Sequence, residues 1–281
     1  MDIINLYQYY GIPAPTGAEG ILCCWEDKCP AGQGEAKRPT LLILPGGGYA
    51  YTSPRETGPV ARRFQAGGFG AFSLDYSCAP ATFPTALREA ALAMRFLREN
   101  GDRYGADPNR IAAIGFSAGA HLCGTLGTLF DSPEVSDIGP GAMLRPEALG
   151  LCYPVVISHG KAHDGSFQNI SGGDEALRKR LSLEKLVRPN MPPVFLWHTR
   201  DDDAVPCRNS LALAAALEEA GVDFAYHLYH RGCHGLSTAN KEVYPDDPVP
   251  PMSPDIPAWP EVMMDFFAEV GFPLKREEKT R

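Results

Sequence analysis

The sequence of 281 residues predicts a single α/β domain with a mostly parallel central sheet and helices on both faces. Short apolar runs alternate with segments of helical periodicity, which is the order expected of a parallel sheet. The composition is that of a globular protein, with 44% hydrophobic and 10% aromatic residues, so a sizeable core is available. The length also suits one large α/β domain.

Buried parallel strands are predicted where a short apolar run is bounded by turn residues. These runs are residues 41–44, 70–76, 110–116, 149–156, 194–198 and 224–229. Residues 1–37 are expected to form an N-terminal strand and loop region of the same domain. No fixed-period repeat interrupts this alternation, so a repeat architecture is not indicated.

Helices are predicted from cap residues and from apolar residues at spacings of three and four. In residues 85–100, one apolar face is formed by Leu87, Ala91, Met94 and Leu97. The run Ser53-Pro54-Arg55-Glu56 matches a capping box and predicts a helix that ends at the glycines 67 and 68. Further helices are predicted directly after residue 117, at 209–220 and at 260–270.

Two longer connections, residues 131–146 and 158–190, are rich in Gly, Pro, Asp and Ser. We expect both at the carboxyl ends of the strands, which is the edge where substrates bind in sheets of this kind. They are therefore predicted to be excursions on the substrate side of the domain.

The formal net charge of −8 leaves no basic surface for nucleic acid or for an anionic membrane. The N-terminus has an acid at position 2 and no apolar run typical of a secretory signal. No apolar stretch approaches the roughly 18 residues of a membrane span. We expect a soluble, cytoplasmic protein with neither nucleic acid nor membrane among its partners.

The eight cysteines are expected to be reduced thiols in a chain without an export signal. Cys23, Cys24 and Cys29 could suggest a metal site. However, they contain no CxxC pair, and Cys23 and Cys24 fall in a predicted strand whose side chains alternate between faces. We expect no metal site and no cofactor.

The run Gly115-Phe116-Ser117-Ala118-Gly119 contains the candidate nucleophile, Ser117. A Gly-x-Ser-x-Gly pattern can occur by chance in a chain of this length. Here, however, it follows a predicted buried strand and precedes a predicted helix of small residues. That setting holds a serine on a strained turn with its hydroxyl exposed. A glycine-rich turn with an inert serine is the alternative interpretation.

A serine nucleophile needs a base, and the base needs an acid that orients it. In this kind of fold the chain order is serine, acid, histidine, and His234 follows the last predicted strand in a loop of small residues. One of Asp201, Asp202 and Asp203, which follow strand 194–198, is the candidate acid. The other histidines lie within or beside helices and strands or precede the acid: His121, His159, His163, His198, His227 and His230.

The negative oxygen of the tetrahedral intermediate needs backbone N–H donors. Ala118, directly after the nucleophile, supplies one, and the loop after strand 41–44 supplies the others. Pro45 has no N–H, so the remaining candidates are Gly46, Gly47 and Gly48, with Gly46 and Gly47 preferred. Gly48 and Tyr49 are expected to contact the substrate. A phosphate-binding loop is not indicated, since neither of its glycine motifs is present.

These motifs resemble those of the α/β-hydrolase esterases related to hormone-sensitive lipase, and within them a bacterial branch of acetyl esterases associated with xylan. The resemblance covers nearly the whole chain after Arg38. It rests on Leu44-Pro45-Gly46-Gly47-Gly48-Tyr49, Asp75-Tyr76, Gly115 to Leu122, Cys152-Tyr153-Pro154-Val155, Leu196 to Pro206 and Gly232-Cys233-His234-Gly235. In that family the acid stands four residues before the proline of the acidic turn, which implies Asp202. Pro45 replaces the histidine of the wider lipase pattern, which argues against activity on long acyl chains.

The resemblance implies a serine esterase that hydrolyses short-chain carboxylic esters, with acetyl esters of sugars or xylo-oligosaccharides as its substrates. In that interpretation Ser117 attacks the ester, His234 transfers the proton and Asp202 orients His234. A serine peptidase of the prolyl-oligopeptidase type has the same chain order and stays as an alternative. A second alternative is a ligand-binding protein that kept the fold and lost turnover.

Overall fold

The computed structural model describes residues 2–25, 37–246 and 248–272. These residues form one sheet in the order β1-β2-β4-β3-β5-β6-β7-β8. Its strands are β1 (Asp2–Asn5), β2 (Ile21–Cys24), β3 (Arg38–Leu44), β4 (Gly70–Asp75), β5 (Ala106–Phe116), β6 (Ala148–Cys152), β7 (Val194–Thr199) and β8 (Phe224–Tyr229). The pairs β1/β2 and β2/β4 are antiparallel and the other neighbours are parallel, which confirms the predicted mostly parallel sheet.

Helices connect most of the strands. They are α1 (Leu6–Tyr10), α2 (Gly58–Ala66), α3 (Thr85–Glu99), α4 (Gly101–Tyr104), α5 (Ala118–Leu129), α6 (Gly141–Leu144), α7 (Asp164–Ser171), α8 (Glu175–Arg180), α9 (Arg208–Glu219) and α10 (Trp259–Glu269). Short 3-10 helices occur at Pro54–Glu56, Leu183–Lys185 and Ile256–Ala258. The predicted helices after residue 117 and at 85–100, 209–220 and 260–270 are therefore confirmed to within two residues.

The side chains of β3 divide between two cores. Leu42 and Leu44 pack in the core that α3, α5 and α9 cover, whereas Leu41 and Ile43 pack in the core under α2 and α10. All four are fully buried. An apolar run without polar alternation is what a strand needs when helices cover both faces of its sheet, so the predicted three-layer arrangement is confirmed.

Two predicted elements differ in detail. Strand β6 ends at Cys152 and not at residue 156, because Tyr153 adopts a φ of +38° that no extended strand accommodates. The helix predicted from Ser53 begins as the 3-10 turn Pro54–Glu56 before α2, and the Ser53 side chain makes no capping bond. The capping box is therefore wrong, and Glu56 has a different function that is described below.

The segment 131–146 is not on the substrate side, contrary to the sequence interpretation. It connects the end of α5 to the start of β6 and runs along the outside of α3. Arg88 in α3 binds Asp137 at 2.7 Å, and Arg98 donates to the backbone carbonyl of Met143 at 2.8 Å. The Gly and Pro content of this segment correctly indicated a connection. Which edge of the sheet the connection lies at is decided by the end of α5, the helix that precedes it.

The carboxyl ends of β5, β7 and β8 are followed by the segments that contain Ser117, Asp202 and His234. The second long connection, residues 158–190, follows β6 at the same edge and contains α7 and α8. Within the described residues, none of the helices is long and apolar enough to cross a membrane. The parallel sheet thus brings segments that are distant in the chain to one edge.

Candidate active site

Ser117 stands on a sharp turn between β5 and α5, with φ +53° and ψ −116°. A left-handed φ is strained for any residue with a side chain, by about 1 to 3 kcal/mol. The turn is held from both directions. The N–H of Ser117 donates to the carbonyl of Cys152 at 3.0 Å, and its own carbonyl accepts the N–H of Ala120 at 3.1 Å. The result is a rigid turn at the carboxyl edge of the sheet.

The two glycines of the motif are required by close packing around this turn. A Cβ atom on Gly115 would lie 2.2 Å from the carbonyl oxygen of Gly119. A Cβ atom on Gly119 would lie 2.1 Å from the carbonyl oxygen of Leu44 in β3. Real Cβ atoms do not approach so closely, so α5 can rest against the sheet only with glycine at both positions.

His234 contacts both Ser117 and Asp202. Its Nε2 lies 2.8 Å from Ser117 Oγ, and its Nδ1 lies 2.7 Å from Asp202 Oδ2. A carboxylate only accepts hydrogen bonds, so Nδ1 carries the hydrogen and Nε2 is free to accept the serine proton. The structure therefore brings together Ser117, Asp202 and His234, the three side chains that the sequence analysis singled out.

Asp202 is buried among donors. Its Oδ1 accepts the N–H groups of Ala204 at 3.0 Å and Val205 at 2.8 Å, and His198 Nε2 lies 3.2 Å from Oδ2. Burial alone would raise the pKa of Asp202, but the hydrogen bonds from His198 and His234 outweigh it and hold the pKa well below its usual range. The carboxylate is thus ionised at neutral pH.

The neighbouring aspartates do not contact His234. Asp201 Oδ1 accepts the N–H of Gly232 at 2.7 Å, which anchors the loop that contains His234, and Asp203 is exposed. His198 lies at the end of a predicted strand, and no sequence pattern assigns it a function. Its position only four residues before Asp202 was the one feature of the sequence that could have suggested a contact between the two side chains.

Gly46 does not supply a donor to the site, which corrects the prediction. Its N–H donates to Glu56 Oε2 at 2.7 Å and is therefore already satisfied. The N–H groups of Gly47 and Gly48 have no acceptor among the described residues, and both glycines line the cavity next to Ser117. The N–H of Ala118 is the first of α5 and has no acceptor within that helix.

Gly47 must be glycine. Its φ is +128°, and a Cβ atom there would lie 2.0 Å from the carbonyl oxygen of Tyr51. Gly48 has a φ of +65°, but a Cβ atom there would meet nothing closer than 3.7 Å. Both therefore use the left-handed backbone that glycine tolerates best, and only Gly47 also lacks space for a side chain.

Glu56 is buried beside this loop, and the sequence interpretation missed its function. In addition to the Gly46 N–H, its Oε1 accepts the Tyr153 hydroxyl at 2.7 Å. The Tyr153 oxygen in turn accepts the N–H of Ser237 at 3.0 Å, and the Tyr153 ring stands edge-on to His234 with centroids 5.0 Å apart. Burial raises the pKa of Glu56. No local pattern in the sequence points to this network.

A cavity of about 340 Å³ opens onto Ser117. Its lining residues are Gly47, Gly48, Ala50, Tyr51, Ser53, Arg55, Glu56, Ser117, His163, Gly165, Asn169, His234 and Gly235. The segment 158–190 contributes three of these residues, and the segment 131–146 contributes none. No motif in the sequence distinguished His163 or Asn169 from the rest of their excursion.

Tyr49 does not reach the cavity, contrary to the prediction that it contacts the substrate. It is 2% exposed, and its hydroxyl lies 2.8 Å from Nδ1 of His121. Nε2 of His121 donates to the carbonyl of Leu181 at 2.8 Å. The left-handed backbone at Tyr49, with φ +57°, directs its side chain away from the site and into the core.

The described residues contain no group of three or more His, Cys, Asp or Glu side chains that could hold a metal ion. Cys23 is partly exposed and Cys24 is buried, as expected for neighbours in strand β2. Cys29, the third residue of the possible metal site, lies outside the described residues. None of the seven cysteines in the described part is joined in a disulfide.

Two family models match parts of the chain. The BD-FAE model matches residues 29–138, and the prolyl oligopeptidase family model matches residues 164–247. The first match includes Ser117 and the glycine loop, and the second includes Asp202 and His234. The two matches therefore divide the site between them.

Two curated relatives match about three quarters of the chain. Endo-1,4-beta-xylanase B of Butyrivibrio fibrisolvens is 36% identical over 222 residues, which are 75% of this chain and 34% of that protein. Acetylxylan esterase of Xylanibacter ruminicola is 26% identical over 223 residues, which are 76% of this chain and 43% of that protein. The chain spans about a third to a half of the length of the curated relatives it matches.

A solved structure matches nearly end to end. The acetyl ester-xyloside bifunctional hydrolase from Caldicellulosiruptor lactoaceticus superposes with a TM-score of 0.82 and 32% identity, covering 96% of this chain and 97% of that one. The match covers nearly all of both chains, including the segments of this chain that form the parallel sheet, the serine turn and the glycine loop. The chain therefore belongs to the α/β-hydrolase family, in the group of carboxylic ester hydrolases related to hormone-sensitive lipase.

Proposed function

We propose that the chain is a serine esterase that hydrolyses short-chain carboxylic esters by way of an acyl-enzyme on Ser117, with acetyl esters of sugars or xylo-oligosaccharides as its substrates. One observation carries the serine mechanism. His234 lies within hydrogen-bond distance of both Ser117 Oγ, at 2.8 Å, and the buried carboxylate of Asp202, at 2.7 Å. A base that is held between a nucleophile and an acid is the arrangement that activates a serine.

In the proposed reaction, Ser117 Oγ attacks the ester carbonyl while His234 Nε2 takes its proton. Asp202 stabilises the imidazolium that forms. The negative oxygen of the intermediate then accepts the N–H groups of Ala118 and of Gly47 or Gly48, for which the described residues offer no other acceptor. The imidazolium returns the proton to the departing alcohol, and water hydrolyses the acyl-enzyme by the same steps.

The choice of substrate has separate support. The cavity of about 340 Å³ is at the small end of the range of about 300 to 1,000 Å³ typical of small-molecule sites, which suits a short acyl group. The names of the similar proteins point to acetyl groups and to xylan or xylosides. A sugar acetate combines these two features.

The mechanism is tested with Ser117→Ala and a fluorophosphonate probe. We expect the unmodified protein to be labelled once and the Ser117→Ala variant not at all. The variant should also lose several orders of magnitude in kcat on 4-nitrophenyl acetate, since only about 10³- to 10⁴-fold catalysis over water survives loss of such a nucleophile. A ligand-binding protein without turnover would show neither labelling nor activity.

The prolyl oligopeptidase match over residues 164–247 favours a peptidase as the second candidate. That match does not include Ser117. It covers Asp202 and His234, and the chain order of acid and histidine is the same in peptidases of this type and in the esterases. A panel of acetyl, butyryl and octanoyl esters, acetylated xylo-oligosaccharides and a prolyl peptide amide separates the candidates. Preference for octanoyl esters or for the amide would contradict the sugar acetate.

A further inference from the structure

One wall of the cavity is formed by α7 and by His163, the residue that precedes it. His163 is half-buried and caps α7. Its Nδ1 accepts the N–H of Ser166 at 3.3 Å and lies 2.8 Å from Ser166 Oγ. A backbone N–H can only donate, so Nδ1 of the neutral ring is the acceptor and the ring hydrogen is on Nε2.

Nε2 of His163 is therefore a fixed donor, and it has no acceptor among the described residues. Burial lowers the pKa of His163, and the nearby His234 lowers it further, although Asp164 and Asp202 act in the opposite direction. The lowered pKa favours the neutral ring, which presents one N–H at the cavity wall.

Asn169, on the last turns of the same helix, presents the complementary group. Its Nδ2 donates to the carbonyl of Gly48 at 2.9 Å, which fixes the orientation of the side-chain amide. Oδ1 is left as an acceptor, and no described residue donates to it. His163 and Asn169 both lie next to Gly48. Asn169 donates to its carbonyl, and a Cβ atom on Gly48 would be 3.7 Å from Cε1 of His163.

We propose that His163 Nε2–H and Asn169 Oδ1 form a subsite that binds a hydroxyl group of the alcohol part of the substrate. A hydroxyl is the group that accepts one hydrogen bond and donates another. A short acyl group has no hydroxyl, so the subsite faces the alcohol. Tyr51, which is 60% exposed and lines the same cavity, provides an aromatic surface for the carbon face of a sugar ring. This inference rests on the proposed esterase function and specifies its substrate as a polyhydroxylated alcohol ester.

The test uses His163→Asn, because asparagine is among the best cap residues and can still accept the Ser166 N–H. Its side chain is too short to replace Nε2. The substrates are a monoacetylated methyl xyloside, the same compound without the hydroxyl next to the ester, and 4-nitrophenyl acetate. His159→Asn is the matched control, since His159 is exposed in the same excursion and does not line the cavity.

We expect the unmodified protein to prefer the xyloside over its deoxy analogue by about 10- to 100-fold in kcat/KM, the effect of two hydrogen bonds to neutral groups. His163→Asn removes one of the two and should reduce that preference by about tenfold, mainly through KM, whereas His159→Asn should keep it in full. An unchanged preference in His163→Asn, or an equal loss on all three substrates, would overturn the subsite. Absence of hydrolysis of every ester by the unmodified protein would instead refute the esterase function itself.

Discussion

The carboxylate of Glu56 accepts the backbone N–H of Gly46 at 2.7 Å, and its other oxygen accepts the Tyr153 hydroxyl at the same distance. These two hydrogen bonds join the glycine loop to the segment that follows β6. Gly46 begins the glycine loop, and Tyr153 contacts both the ring of His234 and the N–H of Ser237. One buried side chain therefore fixes the spacing between the N–H donors and the base.

Glu56→Ala leaves two buried donors unpaired, at about 1 to 3 kcal/mol each, and should lower the melting temperature. It also frees the glycine loop and Tyr153 to move, and misplacement by about 1 Å should lower kcat on 4-nitrophenyl acetate by about 10- to 100-fold. Glu56→Gln should lie between this variant and the unmodified protein, since an amide has one acceptor oxygen where the carboxylate has two. Steady-state kinetics and thermal melting measure both effects. Glu242→Gln, in an exposed pair with Arg62, is the control, and full activity of Glu56→Ala would rule out this function.

Among the three adjacent aspartates, only Asp202→Asn should be severe. It places an amide where His234 Nδ1 donates, which disfavours the productive tautomer and lowers kcat by about 10⁴-fold. Asp201→Asn should stay within a few fold, because its remaining oxygen can still accept the Gly232 N–H. Asp203→Asn should match the unmodified protein. If Asp201→Asn were the severe variant, the assignment of the acid would move to that residue.

Gly47→Ala and Gly48→Ala form a matched pair. Alanine at 47 would place Cβ 2.0 Å from the Tyr51 carbonyl oxygen, so the loop must shift and its N–H groups move with it. We expect more than about 100-fold loss in kcat, the size seen when one oxyanion donor is removed. Gly48→Ala has space and should cost only the left-handed backbone, about 1 kcal/mol of stability. Equal kinetics for the two variants would show that the loop does not position the donors.

His121 should make stability depend on pH. Burial lowers its pKa from 6.5 to about 4, so between these values the unfolded chain binds the proton more readily than the folded one. The stabilisation is fully present above pH 6.5 and is lost as the pH falls through 4. It decreases by about 2 kcal/mol between pH 7 and pH 5.

Urea unfolding of the unmodified protein and of His121→Gln at both pH values measures this contribution. Glutamine can donate to the Leu181 carbonyl and accept the Tyr49 hydroxyl, so the variant should fold. Because the other titrating groups are common to both proteins, the variant should show a pH dependence smaller by about 2 kcal/mol. Identical pH dependence in the two proteins would contradict the assignment.

The sheet, its flanking helices and the positions of Ser117 and His234 could be predicted because each depends on a local pattern. The choice of Asp202 among three adjacent aspartates depended on the resemblance to a known family. A buried strand followed by Gly-x-Ser-x-Gly places the serine, and parallel strands bring the following acid and histidine to the same edge. The order of the motifs along the chain therefore predicted that three distant segments lie close together in the fold.

The contacts of Glu56 and Tyr49 could not be predicted in the same way. Ser53 to Glu56 matches a capping box, but Glu56 finds its donors in Gly46 and Tyr153, which lie in other segments. Tyr49 follows the glycine loop directly, and only its φ of +57° turns it away from the cavity. Tertiary partners and single backbone angles decided these cases, and neither is encoded in periodicity.

The left-handed backbone of Ser117 sets stability and reactivity against each other. The turn that exposes the hydroxyl to His234 is also a conformation that a residue with a Cβ atom adopts only under strain. A substitution that relaxes the turn and keeps its other contacts is expected to stabilise the folded chain and to move the proposed nucleophile away from His234. Selection for thermal stability alone would therefore disfavour the strained turn at Ser117. Its retention implies that the turn is kept for activity at a cost in stability.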